Sequence, residues 1–130
     1  MAQTIKWKDL EDLCSKAKTN LRNMEKANLN LKSHLDTFGR GDGEYAYWSG
    51  TRALKWFETS YKNVANNYVR MAKMANAMLK ICQATEDIYS SDGQSKNNKY
   101  LDNLDTYEGA FKSMATDYYS KAKAIAKGNL

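Results

Sequence analysis

The chain has 130 residues and a formal net charge of +5, with 42% hydrophobic and 27% charged residues. That is the size and balance of one soluble domain, able to bury about two-thirds of the surface its unfolded form exposes, and it excludes disorder, collagen and a disulfide-dense scaffold. There is no proline, and four of the seven glycines (Gly39, Gly41, Gly43, Gly50) fall within twelve residues, so little in the chain stops a helix and long helices are the first expectation.

From Trp7 onward, Leu10, Cys14, Ala17, Leu21, Met24, Asn28, Leu31, Leu35 and Phe38 follow a 3-4 spacing. Such a spacing draws one apolar stripe down a helix in left-handed supercoil geometry, and it predicts a first helix over about 4–38. One flank of this stripe carries mostly Glu11, Lys18, Glu25 and Lys32, which makes the apolar seam narrow. Asn28 interrupts that seam. It is either a polar pin that fixes register at a cost in stability or a partly exposed side chain at a bend.

The glycine-rich segment opens a turn over 39–50. A second stripe then runs through Leu54, Phe57, Tyr61, Val64, Tyr68, Met71, Ala75, Met78, Cys82, Thr85 and Tyr89, predicting a helix over about 51–89. Both of its flanks are apolar, with Ala65, Ala72 and Leu79 on one side and Ala53, Met74, Ile81 and Ile88 on the other. One narrow-seamed neighbour cannot cover so wide a surface. Ser90 to Ser95, with the turn dipeptide Asp92-Gly93, ends this helix. A third stripe, Leu101, Leu104, Glu108, Phe111, Ala115, Tyr118, Ala122 and Ile125, predicts a helix over about 96–127. Short connections make neighbouring helices antiparallel. The expected fold is all-α: one domain over 1–130, a long-helix hairpin plus a third helix in an up-down-up three-helix bundle.

Charge is spread along the chain. Residues 1–38 hold seven Lys/Arg against five Asp/Glu, 51–89 hold six against three, and 90–130 hold six against five. No run of five or six like charges marks a nucleic-acid tail. Lys121, Lys123 and Lys127 sit where cations favour a helix dipole. The first seven residues lack the apolar stretch of a secretory signal, and no apolar run approaches the roughly 20 residues that span a bilayer. Neither a transmembrane segment nor a cleavable signal peptide is expected.

Little in the chain suggests catalysis. His34, the one histidine, falls on the solvent side of the first seam, with no nucleophile at helical spacing. One His and two distant Cys make no conventional zinc set, and the Glu-x-x-His pairs of a di-iron bundle are absent. Gly39-Arg40-Gly41-Asp42-Gly43 lacks the Gly-Lys-Ser/Thr of a Walker loop, so it reads as a linker. No cofactor, no metal and no enzymatic activity are expected. In a hairpin centred on the glycines, Cys14 lies opposite Met78 and Cys82 opposite Leu10, one helical turn away. A bridge needs Cα atoms within about 7 Å, a condition this register neither meets nor excludes. The expectation is two buried free thiols, since free Cys behaves as a small hydrophobe. Most aromatics fall on the stripes and belong to the core, whereas Trp56 and Tyr119 lie off them, and exposed Trp and Tyr are favoured at protein interfaces.

Between the first two helices stands Tyr47-Trp48-Ser49-Gly50-Thr51-Arg52-Ala53-Leu54-Lys55-Trp56-Phe57. Thr51 or Ser49 can cap the second helix, Gly50 allows a close turn, and Trp48 can close the open end of the hairpin. A Trp-x-Gly at the turn of a long-helix hairpin resembles the WXG (ESAT-like) family of small type VII secretion substrates. Gram-positive and mycobacterial cells export these proteins without a signal peptide. The resemblance covers residues 1–89, and the chain departs from it by being longer, by being basic, and by lacking the family's aromatic-x-x-x-Asp/Glu export signal. In this longer, signal-poor form it is similar to the helical companions of LXG-type toxins.

The resemblance implies a cytoplasmic adaptor, exported with its partner. That partner would be the helical N-terminal region of an LXG-type toxin or a WXG-like protein, acting with the type VII machinery, and a homodimer is the other arrangement the family suggests. Trp48 and Gly50 would be the turn motif, and Met74, Leu79, Ile81, Ile88 and Trp56 the partner surface. The competing reading is a basic helical module that binds nucleic acid or an anionic surface.

Overall fold

The computed structural model describes residues 7–39, 51–91 and 98–127. They form α1 (Trp7–Gly39), α2 (Thr51–Ser91) and α3 (Asn98–Ala126), an all-α three-helix bundle with no strand among the described residues. The chain directions follow from who meets whom. Asp36 meets Tyr61, Glu25 meets Tyr68 and Cys14 meets Cys82, so rising numbers on α1 face falling numbers on α2. Glu11 meets Asn103 and Glu25 meets Lys121, so α1 and α3 run the same way. None of the described helices is long and apolar enough to cross a membrane.

The boundaries differ from the sequence expectation at the second turn. α2 continues through Ser90 and Ser91, which the sequence placed in the turn. Neither serine breaks a helix by itself, and the turn dipeptide Asp92-Gly93 comes only after them. Gly39 closes α1. Trp48, Gly50 and the rest of 40–50 lie outside the described residues.

The stripes on α2 and α3 are buried as the 3-4 spacing dictates. Val64, Tyr68, Met71, Ala75, Met78, Cys82 and Thr85 on α2 are sealed, as are Leu104, Phe111, Ala115, Tyr118, Ala122 and Ile125 on α3. These two helices pack along most of their length, whereas α1 rests mainly on α2 and touches α3 sparsely. The α1 stripe is therefore only half covered. Leu10, Cys14, Leu21 and Asn28 are buried, but Met24 and Leu31, stripe members with the same spacing, are each 48% exposed. The difference is geometric, because one neighbour covers one edge of a two-residue-wide seam and the other edge turns outward.

Asn28 is the pin. It is buried, its Nδ2 donates to the Val64 carbonyl at 3.0 Å, and its Oδ1 accepts from Asn67 Nδ2 at 3.1 Å. The alternative of a partly exposed Asn at a bend does not hold. The hairpin register also differs from expectation by about one turn at its far end. Cys14 faces Cys82, not Met78, and both thiols are free and buried.

Candidate partner-binding groove

Two sides of the α1–α2 pair differ sharply, and the helical period sets both. On the side facing α3, Glu11, Lys18 and Glu25 recur every seven residues on α1. Glu11 accepts from Asn103 Nδ2 at 3.0 Å. Glu25 binds Lys121, which also pairs with Asp117 at 2.9 Å and sits 5.9 Å above the Tyr68 ring. The Tyr68 hydroxyl donates to Glu25 Oε2 at 3.3 Å, and its ring meets Tyr118 at 5.9 Å between centroids. Burial works against the Lys121 ammonium, but its hydrogen bonds to Glu25 and Asp117 outweigh that cost and hold its pKa above the ordinary lysine value. Burial, reinforced by the Glu25 charge, pushes the hydroxyls of Tyr68 and Tyr118 up as well. This side is closed by satisfied polar groups.

The other side is open. Leu13, Met24 and Leu31 on α1 are separated by eleven and seven residues, which at about 100° per residue puts all three on one line. That line lies a third of a turn round from Glu25. On α2, Met74 and Ile81 are seven apart, and Trp56 precedes Met74 by eighteen residues, five full turns. They too lie a third of a turn from Tyr68 and hence from α3. All six are exposed: Leu13 46%, Met24 48%, Leu31 48%, Trp56 60%, Met74 54% and Ile81 41%. Between the two lines runs a cleft of about 290 Å³ lined by Met24, Ala27, Asn28, Leu31, Asn67 and Met71. Along α2, from Ile81 to Trp56, the groove extends about 37 Å, the length of a 25-residue helix.

The solvent face of α2 is basic, whereas the α1 edge of the groove is mixed. On α2, Arg70 stands beside the Met74–Ile81 line, and Lys55, Lys62, Lys73 and Lys80 lie about a third of a turn further round, on the face turned from the core; all are exposed, and none forms a salt bridge with another described residue. The α1 edge carries Asp9 and Asp12 as well as Lys16, Asn20, Asn23 and Asn30, all exposed.

Of the surface residues expected from sequence, Trp56, Met74 and Ile81 therefore lie together on the open side. Leu79 does not. It is half-buried and packs on the core, in line with Tyr68 and toward α3. The side chain of Ile88 and the Trp48/Gly50 motif lie outside the described residues. Sequence reading missed the α1 rail, because Met24 and Leu31 looked like seam and Leu13 fell off it. The signal was the narrowness of that seam, which leaves half of it unpartnered.

Two other features carry chemistry. His34 is exposed, its Nδ1 3.0 Å from the Asn30 carbonyl. Carboxylate oxygens of Glu86, Asp105 and Glu108 gather within 4.8 Å of one another where α2 meets α3. No known protein family, curated protein or solved structure matches this chain.

Proposed function

We propose that this chain is a non-enzymatic helical adaptor whose α1–α2 groove takes one amphipathic helix of a partner protein as the fourth member of the bundle. The observation that carries the reading is the open groove itself. Six exposed large apolar side chains stand in two facing rows, an arrangement uncommon on a protein that works alone. Three of the rim and floor residues are methionines (Met24, Met71, Met74), whose flexible thioethers suit a surface that repacks against another helix. The charge of α2 favours one class of occupant. A helix with an apolar seam and acidic flanks complements Arg70 and the basic solvent face of α2 beside the groove. The wider setting rests on the Trp48-x-Gly50 spacing between two long helices. It makes the partner the helical N-terminal region of an LXG-type toxin or a WXG-like protein, handed to a type VII secretion machine and exported with it.

Co-expression with such a region, followed by size-exclusion chromatography and light scattering, tests this. A stoichiometric complex is expected. Ile81→Glu and Leu31→Glu should abolish it while leaving circular dichroism and melting unchanged, because both side chains are already exposed. Loss of helicity in these variants would place the residues in the intramolecular core instead. The basic face also gives the competing reading a specific expectation. Binding to nucleic acid through phosphates should weaken by orders of magnitude between about 50 and 200 mM salt, whereas a helix held by an apolar seam should lose only a few-fold.

A further inference from the structure

Cys14 and Cys82 are far apart in sequence, yet their sulfurs lie 3.7 Å apart across the α1–α2 interface, both side chains fully buried. The sulfurs of a disulfide are about 2.05 Å apart, so small side-chain rotations and less than about 2 Å of travel convert this contact into a bond. We infer that Cys14 and Cys82 form an intramolecular disulfide under oxidising conditions, stapling α1 to α2. The staple has a defined place. Leu13 and Ile81 each immediately precede a bridging cysteine, so the bond would lie directly beneath that end of the apolar groove. It would fix the spacing of the two rails there, on the helix that α3 holds least.

The oxidant is itself a disulfide, either oxidised glutathione or the active-site disulfide of a thiol oxidoreductase. The Cys14 thiolate attacks one of its sulfurs, forms a mixed disulfide and expels one thiolate. The Cys82 thiolate then attacks the Cys14 sulfur and expels the second. One S–S bond forms in the protein as one breaks in the oxidant. The two electrons lost by the cysteines pass to the oxidant, and the two protons they release convert its thiolates to thiols. This order has Cys82 as the donor across the contact, where either sulfur can donate. The hydrogen bond from the Cys82 thiol favours the Cys14 thiolate, whereas giving up that bond, together with burial, pushes the Cys82 thiol up. Because both sulfurs are sealed, the first attack requires a local opening of α1. That helix makes few contacts beyond α2 and so opens at the least cost.

The test uses the purified chain equilibrated in glutathione buffers from fully reduced to fully oxidised, acid-quenched, denatured and labelled with maleimide. The reduced protein should take two labels. The oxidised protein should take none, remain monomeric, and weigh less by two hydrogen atoms. Its melting temperature should rise by roughly 15 °C, as closing a loop of about 70 residues implies, and dithiothreitol should reverse the rise. The Cys14→Ala/Cys82→Ala variant should not respond. Thiols that stay labelled in every buffer, glutathione adducts or disulfide-linked dimers in place of the internal bond, or a bond that leaves melting unchanged would each overturn the inference.

Discussion

Replacing Asn28 by Ala removes two hydrogen bonds from an interface that has few others on its α1 side, the ones to the Val64 carbonyl and from Asn67. Each neutral bond is worth about 0.5–1.5 kcal/mol net. Neither partner is left fully stranded, because the Val64 carbonyl keeps its role in the helix ladder and Asn67 is half-exposed and can turn to water. The expected loss is therefore about 2 kcal/mol, not the larger cost of a buried orphan, and corresponds to a melting temperature lower by roughly 6 °C. Asn28→Leu loses the same bonds but fills the site with apolar surface worth about 1.5–3 kcal/mol when buried. Its stability should fall within about 1 kcal/mol of the parent. Urea and thermal unfolding followed by circular dichroism give both numbers. If Asn28→Ala costs less than about 0.5 kcal/mol, or Asn28→Leu is as damaging as Asn28→Ala, the site is not the register pin that the bonding geometry describes.

Gly109 lies inside α3 with nothing within 4 Å of where a Cβ would stand, so Gly109→Ala should stabilise the fold by about 0.5–1 kcal/mol, seen as a higher urea midpoint at unchanged slope. Leu21 and Met24 are stripe neighbours with opposite burial. Leu21→Ala should cost about 3 kcal/mol in the same titration and Met24→Ala less than about 1. Tyr68, Tyr118 and Lys121 all hold their protons more tightly folded than unfolded. Their contribution is intact below the ordinary tyrosine value near pH 10 and drains away above it. Melting temperature should fall with rising pH in that window, and less steeply in Tyr68→Phe.

The stripes of α2 and α3 were legible because each has a partner along its length, so spacing and burial coincide from Val64 to Thr85 and, apart from the half-buried Glu108, from Leu104 to Ile125. On α1 the same spacing gave only half the answer. A 3-4 stripe says which residues lie on one face, but only the neighbours decide which edge of that face is covered. Met24 and Leu31 turned outward for that reason, and Leu79, which looked like partner surface, packs toward α3. Buried polar pairing was beyond the pattern as well. Asn28 could be marked as an exception in the seam, but its bond to Val64 depends on a register set by the whole interface. The Cys14–Cys82 contact differs from the simple hairpin register by a single turn, a displacement that no periodicity specifies. The basic charge of α2 was present in the sequence as an excess, and only the helix geometry gathers it on one solvent face.

The central claim is that the α1–α2 groove binds an acidic-flanked helix. The most direct measurement is a titration of the protein, labelled at its methionine methyls, with a designed helix of about 25 residues carrying Leu at its seam and Glu on its flanks. Met24 and Met74 should shift saturably at one peptide per chain, Met114 on α3 should stay in place, and the same helix with Lys flanks should bind at least tenfold more weakly. Unmoved Met24 and Met74 signals, equal shifts at Met114, or indifference to the sign of the flanks would contradict the account.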